Sequence, residues 1–268
     1  MITKHLPIGI FDSGIGGLTV ANAISKHMPY ERLIYFGDTK HLPYGEKSED
    51  LIKEFSKNIY YFLKEKKCKA IIIACNSASS VAYESLKKIS TKIPIYNVID
   101  PVIDKINHKY NDKTIGVIGT KATIKSGVYK KKLFNKNNHV IIKSLSTPLL
   151  APMIEEGFFN QEISRVVLEN YLKNPKIKDI SALILGCTHY PLIQSEIRKF
   201  YSSKIKIFNS AEIVAKYIYN DLTNLNLLNT KCKSTHEFYV SNYTESFEKS
   251  ASIFFKTKIN LKEIKLAI

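Results

Sequence analysis

The chain has 268 residues, 44% of them hydrophobic, enough for one large or two smaller cored domains, and no apolar run reaches the length of a membrane span. Its formal net charge of +16 is carried almost entirely by lysine, with only Arg32, Arg165 and Arg198 as arginines. Lysines scattered in this way form a solvated basic surface, whereas base-reading surfaces favour the bidentate fork of Arg, so no specific nucleic-acid partner is expected beyond salt-sensitive sticking to polyanions.

The amino-terminal residues run almost directly into the first predicted strand and contain no apolar h-region, so no secretory signal is read and a cytoplasmic location is expected. Four cysteines form no Cys-x-x-Cys pair and no disulfide framework. In a reducing compartment they are free thiols. Cys68 and Cys232 lie in charged or polar stretches and are read as bystanders.

In chain order the pattern predicts a strand at 7–11, a helix at 16–27, a strand at 32–36 and a long amphipathic helix at 47–66. A buried strand follows at 70–74, then a helix at 77–89 and a strand at 95–98. The alternation restarts with strand 114–118, helix 123–134, strand 140–144, helix 161–172, strand 182–185, helix 191–201 and strand 206–208. A helix at 210–220 and a late strand at 237–240 complete the reading. Short apolar strands separated by helices predict an α/β fold with mainly parallel sheets flanked by helices. A faint duplication is visible: Ile8-Gly9-Ile10-Phe11 precedes Cys75 by roughly the span that separates Gly116-Val117-Ile118-Gly119 from Cys187. It predicts two similar, pseudo-symmetric α/β domains, 1–99 plus 209–268 and 100–208, with the site in the cleft between them. The boundary is set at Asp100-Pro101, because Pro biases its predecessor out of helix.

Two cysteines carry the strongest chemical signal. Ile71-Ile72-Ile73-Ala74-Cys75-Asn76-Ser77 and Leu183-Ile184-Leu185-Gly186-Cys187-Thr188-His189 each end an apolar strand in a thiol just before a predicted helix. Open α/β sheets place their chemistry at such strand ends. A free thiol has a pKa of about 8.5, which a helix amino terminus or a protonated histidine lowers. His189 stands beside Cys187, and Asp12 ends the strand expected to neighbour that of Cys75. Two thiols facing one substrate suit the movement of a proton on and off a single carbon. The bland reading is a pair of inert core cysteines. A zinc site using Cys75, Cys187 and His189 is the other alternative, but the spacing matches no standard ligand pattern, so no metal is expected.

Three further segments accompany the thiols. Asp12-Ser13-Gly14-Ile15-Gly16-Gly17 is a glycine turn into a helix, but Thr19 fills the third glycine position of a dinucleotide fingerprint and no P-loop lysine follows. Asp12 is read either as a helix cap or as an acid serving the first thiol. Pro43-Tyr44-Gly45 is a turn whose backbone donors could line a ligand site. Glu155, beyond the proline-bounded Thr147-Pro148-Leu149-Leu150-Ala151-Pro152, either faces the cleft or ends a surface helix.

Taken together, Asp12-Ser13-Gly14-Ile15-Gly16-Gly17-Leu18-Thr19-Val20, Pro43-Tyr44-Gly45, Ala74-Cys75-Asn76-Ser77-Ala78-Ser79, Gly116-Val117-Ile118-Gly119-Thr120 and Leu185-Gly186-Cys187-Thr188-His189-Tyr190-Pro191-Leu192 resemble the glutamate racemases of the cofactor-independent aspartate/glutamate racemase superfamily. The match runs over about residues 7 to 220 in the family's order and spacing. The resemblance implies interconversion of L- and D-glutamate by two-thiol proton transfer at Cα, supplying D-glutamate for peptidoglycan, without pyridoxal phosphate or any other cofactor. It assigns Cys75 to the D-isomer and Cys187 to the L-isomer, assisted by Asp12 and His189. It implies substrate contacts from Asp12, Ser13, Tyr44, Gly45, Asn76, Ser77, Thr120, Glu155, Thr188 and His189, with Asp38 as a further acid near the site. It implies a homodimer as well. Ser77 stands where Thr is common in the family, which keeps the hydroxyl. Thr147-Pro148 stands where Cys-Pro is frequent. With no long amino-terminal extension, regulation by a bound cell-wall precursor is not expected. The alternatives are a racemase of aspartate or another small amino acid, and a basic nucleic-acid-binding protein on the same fold.

Overall fold

A computed structural model of the chain describes residues 2–107, 110–136, 139–231 and 235–266. The first stretch alternates β1 (Ile8–Asp12), α1 (Leu18–His27), β2 (Leu33–Gly37), α2 (Glu49–Glu65), β3 (Ala70–Ile73), α3 (Asn76–Val81), α4 (Tyr83–Ile89) and β4 (Ile95–Asn97). After α5 (Asp100–Asn107) come β5 (Thr114–Gly119), α6 (Lys121–Lys125), α7 (Val128–Lys136), β6 (Ile141–Ser146), α8 (Leu150–Glu155), α9 (Glu162–Leu172), β7 (Ala182–Gly186), α10 (Gln194–Phe200) and β8 (Lys206–Asn209). The chain closes with α11 (Ser210–Asn224), β9 (Glu237–Val240), α12 (Glu245–Phe255) and β10 (Leu261–Glu263).

These strands form two parallel sheets, ordered β10-β9-β2-β1-β3-β4 and β6-β5-β7-β8. Every residue of β1, β2, β3 and β7 is buried, as continuous apolar strands between two helical layers must be. Both sheets repeat one order: the first strand of each unit lies between the second and the third. The chain therefore reverses direction across the sheet between β1 and β3, and again between β5 and β7. Such switch points open a crevice at the carboxyl ends of the strands, where ligands of α/β proteins bind. Asp12 and Cys75 sit at the first crevice, and Thr120 and Cys187 at the second. Strands β9 and β10 extend the first sheet beyond β2.

The helices differ from the sequence pattern where local chemistry intervenes. The helix expected at 77–89 starts one residue early, at Asn76, because the Cys75 sulfur accepts the Ala78 amide, and it is interrupted at Ala82. The helix expected at 123–134 is split by Gly127, whose φ of +65° ends one helix and starts the next. Asp100-Pro101 opens α5, a helix the sequence reading did not include. Pro in a first turn has no amide that needs a partner, and Asn97 Oδ1 accepts the Ile99 and Asp100 amides, each at 2.8 Å. Helices α8 and α12 and strand β10 were also not predicted.

One buried ion pair ties distant segments together. Lys69 Nζ lies 2.6 Å from Glu31 Oε2 and donates to the carbonyls of Lys4 at 2.6 Å and Leu227 at 2.7 Å. It stands directly before β3, the strand that leads to Cys75. Cys68 is buried, and Cys232 lies outside the described residues.

Candidate active site

Strand β3 delivers Cys75 into its crevice as the residue that caps α3. Its sulfur accepts the Ala78 amide at 3.5 Å, and its S–H is directed to Ser13 Oγ at 3.7 Å. Burial pushes this thiol's pKa up to about 12, with the negative charge of Asp12 adding to the effect, while the Ala78 amide and the Ser13 hydroxyl, turned to donate to a thiolate, pull the other way. Cys75 is therefore a thiol at neutral pH. Asp12 is fully buried behind the crevice rather than in its wall. Its own pKa is raised by burial, against the opposing pull of the His189 charge and the Gly17 and Gly14 amides.

The second thiol has a different neighbour. Cys187 directly follows β7, and its sulfur lies 3.4 Å from His189 Nδ1. The other ring nitrogen, Nε2, lies 2.8 Å from Glu155 Oε1. Burial alone would depress the His189 pKa. The negative charge of Glu155, followed by that of Cys187, outweighs burial and holds the imidazole well above its ordinary value. The ring also packs edge-on against Phe254, with centroids 5.4 Å apart. A carboxylate, an imidazolium and a thiol thus stand in a line that ends at the cleft.

Both thiols line one cavity of about 40 Å³. Ser13, Tyr44, Gly45, Asn76, Ser77, Thr120, Glu155, Thr188 and His189 line it with them. Of the side chains singled out in the sequence as catalytic or substrate-binding, only Asp12 stands back from the wall. It still reaches the second thiol loop, since Thr188 Oγ1 donates to Asp12 Oδ1 at 3.5 Å. The first thiol loop also meets the loop after β5, with Ser77 Oγ and Thr120 Oγ1 2.8 Å apart. Thr19 Oγ1 donates to the Thr188 carbonyl at 2.9 Å. Small residues permit this approach. A Cβ on Gly16 would lie 2.6 Å from Thr188 Oγ1, and one on Gly45 would lie 2.7 Å from Thr120 Cβ.

Asp38 stands outside the cavity wall but fixes one side of it. Its Oδ2 accepts the Tyr44 hydroxyl at 2.6 Å, and its Oδ1 accepts Ser241 Oγ at 2.7 Å and faces His41 Nδ1 at 2.9 Å. Two other buried tyrosines, absent from the sequence reading, brace the site. Tyr35 donates to the Gly14 carbonyl at 2.8 Å, and Tyr129 donates to Asn76 Oδ1 at 2.7 Å. Each bond joins segments far apart in sequence, and no local motif marks either tyrosine. Ala151 and Pro152 also line the cavity, from the proline-bounded segment that the sequence did single out.

The arrangement offers one proton acceptor or donor from each of two loops, with hydroxyl and amide donors between them. The Asp/Glu/hydantoin racemase family model matches residues 19–218 of the chain. Glutamate racemase 3 of Caldanaerobacter subterraneus subsp. tengcongensis is 38% identical over 259 residues, covering 96% of this chain and 93% of that protein. Glutamate racemase of Aquifex pyrophilus is 45% identical over 215 residues, covering 80% of this chain and 83% of the relative. The crystal structure of glutamate racemase from Francisella tularensis subsp. tularensis SCHU S4 in complex with D-glutamate superposes with a TM-score of 0.92 at 37% identity, covering 98% of each chain. Picrophilus torridus aspartate racemase shares the fold alone, with a TM-score of 0.57 at 21% identity over 81% of this chain and 94% of that one.

Proposed function

This chain belongs to the Asp/Glu/hydantoin racemase family, and from that premise we propose that it interconverts L- and D-glutamate by moving a proton on and off Cα between two thiols. The observation that carries this reading is that Cys75 and Cys187, each at the end of a central strand of its own sheet, line the same cavity. Thr120 and Thr188, with Asn76 and Ser77, supply neutral donors for the carboxylates of the substrate. Such donors stabilise the charge that develops when the α-proton leaves.

In the L-to-D direction the Cα–H bond breaks as its proton passes to the Cys187 thiolate. A new Cα–H bond forms on the opposite face with the proton of the Cys75 thiol, which is left as a thiolate. The reverse reaction exchanges the roles. One sulfur must be charged and the other neutral before each turnover. Burial supports the neutral form of Cys75 at the start of the L-to-D direction. On the other side His189 Nδ1 stands 3.4 Å from the Cys187 sulfur, within reach of a proton held there. The α-ammonium of the substrate supplies a positive charge that offsets the cost of a thiolate at Cys75. Two thiols suffice for this chemistry, and the reading requires no cofactor.

A cavity of about 40 Å³ has room for about one water molecule, against the roughly 300 Å³ or more of a ligand pocket. Substrate entry therefore requires the two thiol loops to part, and catalysis requires them to close again. The repeat of one strand order in two sheets supports division into domains 1–99 plus 209–268 and 100–208 that move in this way. No described helix is long and apolar enough to cross a membrane. The reading carries with it a cytoplasmic homodimer and a supply of D-glutamate for peptidoglycan.

Purified protein incubated with L-glutamate and no added cofactor loses optical rotation, and turns over L-aspartate far more slowly. Changing Cys75 to Ser lowers kcat/KM by at least about 10²-fold, the scale of a lost general acid or base. The loss is equal in both directions, because enantiomers have equal free energy and the two values of kcat/KM must match. Unchanged activity in that variant contradicts the assignment.

A further inference from the structure

We propose that Tyr129 is a positioning residue: its hydroxyl holds the Asn76 amide so that the amide's N–H groups are presented to the carboxylate of the substrate. The inference rests on the reading of the cleft as a glutamate site. Tyr129 lies in the first turn of α7 and is buried, and its hydroxyl donates to Asn76 Oδ1 at 2.7 Å. Asn76 is 2% exposed and lines the cavity directly after Cys75. Its Nδ2 has no hydrogen-bond partner among the described residues. A buried amide donor without a partner is costly, and functional sites are where such donors persist. A primary amide carries two N–H donors, both suited to an anionic ligand.

The bond from the tyrosine goes with one facing of the amide. With the amide reversed, its N–H would instead donate to the Tyr129 oxygen, and a carbonyl oxygen would face the substrate anion. Burial, reinforced by the charge of Cys187, raises the phenol's pKa further above its ordinary value, so the group remains a donor across the working pH range. The ring also lies beside the end of β7: a Cβ placed on Gly186, the residue before Cys187, would lie 3.6 Å from Tyr129 Cε2. One side chain thus bonds the residue after Cys75 and stands beside the residue before Cys187. It comes from α7, which follows β5 of the four-stranded sheet, and acts on a residue that follows β3 of the six-stranded one.

The test is a double-mutant cycle read by steady-state kinetics with L- and D-glutamate. Tyr129→Phe removes only the hydroxyl and raises KM about five- to tenfold in both directions, the scale of one hydrogen bond, with kcat within about twofold. Asn76→Ala raises KM at least as much, and adding Tyr129→Phe to it produces no further loss. Losses that combine in full, or a fall in kcat at constant KM, overturn the positioning role. A Tyr129→Phe protein that fails to fold overturns it as well, by making the hydroxyl a structural requirement. A second measurement needs no variant at position 129. In the ¹⁵N-labelled parent, the side-chain amide resonance of Asn76, assigned by its loss in Asn76→Ala, shifts when D-glutamate is added, and an unmoved resonance counts against the proposal. A parent that does not turn over glutamate at all defeats the functional reading instead.

Discussion

Two sulfurs in matching strand-end positions have different neighbours. Burial and the nearby Asp12 charge keep Cys75 a thiol, while Cys187 faces an imidazole that Glu155 keeps protonated. The His189 pKa lies above its unfolded value, so the protonated ring stabilises the fold most fully below that unfolded value, and this contribution is lost as pH rises through the folded pKa. The charge of Glu155 is the largest of the raising influences. Changing Glu155 to Gln lowers the His189 pKa, so the fall of kcat/KM with rising pH moves to lower pH. A pH profile of the L-to-D direction checks this, and an unmoved alkaline limb contradicts the imidazolium's role. At this scale the thiols and His189 were legible in the sequence because each lies in a compact string, whereas Glu155 read as cleft or surface alike and was placed in the cleft only by the family resemblance. Tyr35 and Tyr129 were not legible, because their partners lie 21 and 53 residues away in sequence and no spacing rule links them.

The elements act on the site mainly through where they end. Strands β3 and β7 stop at the thiols, and the loop after β1 must pass close enough to touch Thr188 and His189. Gly16 makes that approach possible. An Ala methyl there would collide with the buried side chains of His189 and Thr188, so the two loops would be forced apart. Gly16→Ala is expected to cost about 1–3 kcal/mol of stability in urea denaturation through overpacking. It is expected to lower kcat/KM by about 10²-fold, the effect of displacing reacting groups by about 1 Å. Wild-type activity in this variant contradicts the close contact. Strands were read well from the sequence, since continuous runs such as Ala70–Ile73 are buried on both faces. Helix breaks were read poorly. The split at Gly127 depends on a backbone turn, and the start of α5 depends on a cap by Asn97, neither of which alters the apolar pattern.

For the whole molecule, the Lys69–Glu31 pair joins the amino-terminal segment, the approach to β2 and the segment after α11 at the base of the strand leading to Cys75. A lysine is almost never fully buried unless it is paired. In the sequence Lys69 reads as one more surface charge, because its partner Glu31 is 38 residues away and the Leu227 carbonyl 158. Lys69→Met leaves Glu31 as an unpaired buried charge and is expected to cost about 3–5 kcal/mol in chemical denaturation. A loss below about 1 kcal/mol, the range of exposed pairs, contradicts the buried role. The α/β class was legible because it follows from alternation, and the duplication from the matching spans that lead to the two thiols, whereas the strand order was not read. The inward placement of Lys69 was not, because it is decided by contacts between remote segments.

The central claim is that a separate thiol serves each face of one carbon, and isotope placement tests it most directly. Protein equilibrated in D₂O is given protonated L-glutamate, and both enantiomers are isolated at low conversion. Two thiols predict that the D-glutamate formed carries deuterium at Cα while the remaining L-glutamate keeps its protium. Protium retained in the D-glutamate, the signature of one base carrying the same proton from face to face, contradicts the account.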